Sequence, residues 1–312
     1  MTAPGARTGR SSLLQHLLPG YPGREHWRLV PATGQHYLDV GAGEPLLFLH
    51  GNPTWSYAWR RLLPALAPRA RCLAPDLPGL GLSQHLALPS DPAAFLQAQL
   101  DHLDALHRHL VRHEGAPERG WTLAVHDWGG PLGTAWLRRH PGVVSRLVVL
   151  NTIAFPWPDG YRLPFYLRWI RDHRSVAAAV DATNAFARAT FRAGVTRPLR
   201  PDERRAYLLP HARRGNRRAI TRFVRAIPDG TRADVWRLLE PADEARDDLR
   251  DMPVFIGWGM RDPVFTPLVL AEWIRRHPRA AVHRYHRAGH LVMEDAADEL
   301  GAHIAQFLRR WP

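Results

Sequence analysis

The chain has 312 residues, of which 45% are hydrophobic and 9% aromatic, and 42 basic against 29 acidic residues give it a formal net charge of +13. That length and apolar content exclude a disulfide-stapled mini-domain and a disordered chain, and they suit one large α/β domain or one domain with an insertion. The single cysteine, Cys72, excludes an internal disulfide and any multi-cysteine zinc or iron–sulfur site.

No apolar run approaches the roughly 18 residues of a membrane span. The stretch Leu13–Leu18 is too short and too broken for a signal peptide. The expected location is the cytoplasm. Every basic residue is Arg, and the charge is uneven: residues 171–225 hold 14 Arg against four acids. No nucleic-acid motif accompanies this charge, so nucleic acid is not an expected partner.

In chain order, Trp27–Val30 and His36–Val40 read as a strand hairpin, and Pro45–His50 as a buried strand. Ser56–Leu66 has helical spacing, and Arg71–Asp76 is a strand that ends in the turn Pro78–Ser83. Asp91 caps a helix over Pro92–Arg112, and Trp121–His126, Gly129–His140 and Val144–Leu150 read as strand, helix and strand. Residues 153–249 are helical in pattern and rich in Pro and Arg. Strand pattern resumes at Pro253–Trp258, followed by a helix over Pro267–His277, the strand Ala281–Tyr285 and a helix over Ala296–Arg310. Apolar strands separated by helices predict a mostly parallel, doubly wound sheet. The expected organisation is an N-terminal extension over 1–24, a sheet core over 25–152 and 251–312, and a helical cap over 153–250.

The chemistry stands at strand ends, where open parallel sheets bind ligands. Asp127 ends one strand and is followed by Trp128 and two glycines, a nucleophile-elbow pattern with Asp where esterases carry Ser. Read as a helix cap alone, Asp127 would not need those glycines. Asp262 follows the strand at 253–258, and His290 follows the last strand. The order Asp127, Asp262, His290 is nucleophile, acid, base, with the cap in the first gap. Asn52, after the strand at 45–50, and Trp128 would face the same centre with side-chain N–H donors suited to a leaving anion. His102, His107, His109 and His113 share one helix and read as a solvated face rather than a metal site.

The segments HGNPTW at 50–55, PDLPGLGLS at 75–83, VHDWGG at 125–130, GMRD at 259–262 and AGH at 288–290 resemble the haloalkane dehalogenases. The cap segments LNTIAF at 150–155, NAFA at 184–187 and RFVRAIP at 222–228 are similar to the branch that also holds the β-lactone decarboxylases of bacterial long-chain olefin synthesis. The resemblance spans roughly 25–310. It implies an α/β-hydrolase fold in which Asp127 attacks carbon, His290 activates water and Asp262 orients His290. Asn52 and Trp128 would hold the leaving group, with no metal or organic cofactor.

Some relatives place the acid after the strand ending near Leu150, where Asn151 and Thr152 stand here. Hydrolytic dehalogenation is the leading expectation, with β-lactone decarboxylation by the same residues as its alternative. An epoxide hydrolase would need cap tyrosines, for which Tyr161, Tyr166 and Tyr207 are available. Trp128 departs from the Arg of fluoroacetate dehalogenases, and an inactive basic interaction module fits poorly with an intact triad. The expected substrate is an apolar small molecule, with Phe155, Phe186 and Phe223 as pocket-wall candidates and Trp157, Trp169 and Trp236 as cap core. The Arg-rich segment should lie on the outer face of the cap, where anionic lipid or a partner enzyme could dock.

Overall fold

A computed structural model describes residues 17–83, 86–229, 233–239 and 252–311. Most of the expected extension over 1–24, the expected end of the cap near 250 and the side chain of Trp236 lie outside the described residues.

Among the described residues, eight strands form one sheet: β1 (Trp27–Leu29), β2 (His36–Val40), β3 (Pro45–Leu49), β4 (Arg71–Pro75), β5 (Trp121–Asp127), β6 (Val144–Thr152), β7 (Val254–Gly259) and β8 (Ala281–Tyr285). Their order is β1-β2-β4-β3-β5-β6-β7-β8, antiparallel at β1–β2 and β2–β4 and parallel across the rest. All of β3 and β7 is buried, and so is β5 up to Asp127, which is why these strands read as unbroken apolar runs rather than as alternation. After β3 the chain turns one way to β4, then returns past β3 to β5. The ends of β3 and β5 thus flank a topological switch point, the place where such sheets open a ligand crevice.

The helices are α1 (Leu63–Leu66), α2 (Pro92–His113), α3 (Gly129–Arg139), α4 (Phe165–Asp172), α5 (Arg174–Thr183), α6 (Ala185–Ala193), α7 (Pro201–Leu208), α8 (Arg218–Arg225), α9 (Ala233–Leu239), α10 (Pro267–Arg276), α11 (Val292–Asp295) and α12 (Ala297–Arg310). The Asp91 carboxylate caps α2 by accepting from Ala94 N at 2.9 Å. The single helix expected over Ser56–Leu66 is instead a 3-10 turn at Ser56–Trp59 and the short α1. Pro64 sits in the first turn of α1, where its missing N–H costs nothing, whereas in a continuous helix it would break the ladder. The histidine face expected on α2 is not solvated throughout: His107 packs 5.1 Å from the Trp121 ring and 5.3 Å from that of Trp136.

Helices α4 to α9 lie between β6 and β7. A buried charge cluster fastens this segment to the core. Arg60 forms ion pairs with Glu294 of α11 and, at 3.1 Å, with Glu203 of α7, and its guanidinium lies 4.0 Å from the Tyr57 ring centre. Tyr207 of α7 donates to Glu294 Oε1 at 2.5 Å. Every buried charge in this cluster has an opposite partner, the condition under which burial is tolerated. Of the 14 Arg at 171–225, ten are exposed, where a guanidinium group keeps its hydration. Arg171, Arg217, Arg222 and Arg225 are partly buried.

Candidate active site

Asp127 adopts φ +50°, a left-handed conformation that a non-glycine residue holds only under constraint. The constraint is tight backbone packing beneath it. A Cβ on Gly129 would meet Leu49 O at 2.0 Å, and one on Gly130 would meet Thr152 Oγ1 at 1.9 Å. Only glycine lets α3 begin this close to the ends of β3 and β6. Thr152 Oγ1 donates to the Asp127 carbonyl at 2.5 Å and secures the turn.

Asn52 N donates to Asp127 Oδ1 at 2.7 Å, and the backbone N–H of Trp128 also favours the charged form of this carboxylate. Burial pushes the Asp127 carboxyl above the usual carboxylate range, against the pull of His290 and these two N–H groups. The loop bearing Asn52 is pinned by the buried Asp76, which accepts from Ser56 N at 2.7 Å, Leu82 N at 2.8 Å and His36 Nδ1 at 2.9 Å. The side chain of Asn52 is partly spoken for: Nδ2 donates to Ile220 O of α8 at 3.1 Å. Any leaving-group contact by Asn52 therefore rests on its second amide hydrogen.

His290 Nε2 lies 3.7 Å from Asp127 Oδ2, and its Nδ1 donates to Asp262 Oδ2 at 2.8 Å. Burial disfavours charge on this imidazole, but the Asp262 and Asp127 carboxylates outweigh it and raise its pKa. Asp262 Oδ1 accepts from Val264 N at 2.8 Å and Phe265 N at 3.1 Å. The structure thus brings Asp127, Asp262, His290, Asn52 and Trp128 to one point.

Asn151 is part of that point, in a role that its sequence position did not disclose. Its Oδ1 accepts from Gly259 N at 2.7 Å, and its Nδ2 donates to Gly259 O and to Asp262 Oδ2, each at 3.0 Å. Asn at a strand end, beside a partner strand that ends in Gly, was the available signal. Asp295 was also missed. It accepts from Gly289 N at 2.8 Å, Thr196 N at 2.9 Å and Arg197 N at 2.9 Å, so one carboxylate holds the His290 loop and the chain after α6 together.

Asp127 opens into a cavity of about 580 Å³ whose wall is almost wholly apolar. Phe155 and Phe186 line it; Phe223 does not, and stands behind Trp128 with ring centres 5.3 Å apart. Trp157 also lines it, whereas Trp169 lies largely exposed on α4. Ala185, Ala189 and Ala193 form a small-residue row of α6 on the wall, which leaves room for chains beside the bulky rings. The tyrosines do not form a converging pair of donors. Tyr161 donates to Val264 O at 2.8 Å and Tyr207 to Glu294, while Tyr166 alone lines the cavity. A carboxylate, an imidazole and two backbone donors at the base of an apolar cavity can attack carbon, hold a covalent ester and stabilise an oxyanion.

The model of the family described as alpha/beta hydrolase fold matches residues 44–297. The cis-3-alkyl-4-alkyloxetan-2-one decarboxylase of Xanthomonas campestris pv. campestris is 39% identical over 291 residues, covering 90% of this chain and 94% of that protein. The haloalkane dehalogenase of Sphingobium indicum is 34% identical over 290 residues, covering 88% and 91%. Among solved structures, a loop variant of the haloalkane dehalogenase DbeA from Bradyrhizobium elkanii is similar with a TM-score of 0.76 at 29% identity, covering 91% of this chain and 95% of that one.

Proposed function

Since the chain is an enzyme that belongs to the α/β-hydrolase family, in the branch shared by haloalkane dehalogenases and oxetanone decarboxylases, we propose that it decarboxylates cis-3,4-dialkyl β-lactones to alkenes. The observation that carries this reading is the Asp127 carboxylate at the base of a cavity of about 580 Å³ lined on several sides by apolar groups. The relatives tilt the choice: the decarboxylase is 39% identical and the dehalogenase 34%, so the lactone takes precedence over the haloalkane expected first.

In the proposed reaction an Asp127 oxygen attacks ring carbon C4 and the C4–O bond breaks. This gives an alkyl ester on Asp127 and a free carboxylate on C3. The C3–carboxylate bond then breaks, its electron pair forms the C3–C4 double bond, carbon dioxide leaves, and Asp127 departs from C4 with its own electron pair. Inversion followed by anti elimination makes a cis lactone yield a cis alkene. Protonated His290, favoured by its two carboxylate neighbours, keeps its proton and donates a hydrogen bond from Nε2 to the carboxylate as the ring opens, so the carboxylate stays ionised for the loss of carbon dioxide. The backbone N–H groups of Asn52 and Trp128 hold the ester carbonyl oxygen. Water is not consumed, which suits an apolar site.

Dehalogenation would use the same attack, followed by hydrolysis of the ester. Parallel assays of a synthetic cis-3,4-dialkyl oxetan-2-one and a terminal bromoalkane separate the two. The expected result is cis alkene from the lactone at a kcat/KM well above that for bromide release. Faster bromide release, with no alkene, would refute the reading.

A further inference from the structure

Helix α4 has two unlike faces. Inward, Leu167 and Ile170 form part of the cavity wall. Outward, Phe165 is 72% exposed and Trp169, one turn on, is 57% exposed. Tyr166 is 37% exposed and also lines the cavity, so it marks the boundary between the two faces. The Phe165 and Tyr166 rings meet edge-on with centres 6.0 Å apart. The other large exposed hydrophobic residues among those described are scattered singly, which is ordinary; three aromatics on two turns of one helix are not.

The charges around these rings are mainly positive. Arg162, Arg168 and Arg174 are exposed, as is His173. The exposed acids of this stretch are Asp159 and Asp172, and Asp172 is already held by Arg171 at 2.7 and 3.1 Å. Aromatic rings flanked by Arg on a helix face match the interfacial zone of a bilayer, where rings sit at headgroup depth and cations meet anionic lipid. A second copy of this chain would bring a second formal charge of +13 against the first, which opposes self-association.

We propose that the outer face of α4 docks the protein on an anionic lipid bilayer, with Phe165 and Trp169 inserted among the headgroups and Arg162, Arg168 and Arg174 on the phosphates. The inner face of the same helix is cavity wall, so docking places the cavity one helix away from the lipid. A ligand apolar enough to fill that cavity partitions into the bilayer, and this geometry shortens its path through water. The inference rests on the cavity's apolar lining and not on which bond Asp127 breaks.

The test is co-sedimentation of the full chain with phosphatidylcholine vesicles, with and without a quarter phosphatidylglycerol. Binding is expected to the anionic vesicles and to weaken as salt rises. The double variant Phe165→Ser, Trp169→Ser should lower vesicle partition about tenfold, with unchanged thermal unfolding and unchanged turnover of substrate supplied in solution. Trp169→Phe, which keeps an aromatic ring, should retain most of the binding. Absence of binding at low salt, or equal binding by the parent and the double variant, would overturn the proposal. So would a parent dimer in light scattering that the double variant reduces to monomer, since the patch would then serve a second copy.

Discussion

The side-chain amide of Asn151 donates to Asp262 Oδ2 at 3.0 Å, the same oxygen that receives His290 Nδ1 at 2.8 Å. Asn151 therefore fixes the acid that fixes the base. Replacing Asn151 with Ala removes a hydrogen bond to a charged group, worth about 1.5–3 kcal/mol, so kcat should fall roughly 10- to 100-fold. Asp262→Asn should cost more, on the order of 10⁴-fold, because the imidazole loses its anionic partner. Steady-state kinetics on the two variants checks the order; a larger loss at Asn151 than at Asp262 would move the acid's role to the wrong strand.

Asp127→Asn keeps the shape of the side chain and removes its nucleophilicity. Turnover should drop by on the order of 10⁴-fold or more, while the thermal transition stays near that of the parent. Activity assays and circular dichroism on a preparation shown by mass to be free of deamidation check both halves.

The pH profile follows from two raised pKa values. Asp127 must be ionised, so its upward shift from burial moves the acid limb of the profile toward neutrality. Protonated His290 stabilises the opening carboxylate by a hydrogen bond in the proposed reaction, so its upward shift extends the active range on the alkaline side, and activity falls only as Nε2 deprotonates. Ester hydrolysis would show the opposite alkaline behaviour, since it needs neutral His290 and would gain activity through the same titration. A kcat profile with lactone as substrate distinguishes a bell from a rising limb.

Asp295→Ala leaves the N–H groups of Gly289, Thr196 and Arg197 without their shared carboxylate acceptor. The expected cost is about 1–3 kcal/mol in stability, seen as a lower midpoint in chemical denaturation. The His290 loop and the chain after α6 should loosen together, seen as faster amide exchange at both segments.

Much of this molecule could be read from residue order because its chemistry stands at strand ends. The runs before His50, His126 and Met260 are mainly apolar, and Asn52, Asp127 and Asp262 stand within a few residues of their ends. What residue order could not convey was the second partner of each side chain. Asn52 Nδ2 turns to Ile220 O across 168 positions, and Asp295 reaches Thr196 across 99. Apolar spacing also fails to separate cavity wall from packed core: Phe186 and Phe223 look alike in sequence, yet the first lines the cavity and the second backs Trp128.

In the proposed reaction Asp127 opens a lactone and leaves again without water. A single turnover of enzyme with a cis-3,4-dialkyl oxetan-2-one in H₂¹⁸O tests it, followed by mass analysis of the Asp127 peptide and of the products. Fragmentation breaks the bond between C4 and the Asp127 oxygen, so the peptide should stay unlabelled while cis alkene and carbon dioxide form in proportion to enzyme. A hydroxy acid product with one ¹⁸O in Asp127 would mean that water had cleaved the ester at its carbonyl, and the decarboxylation account would be contradicted.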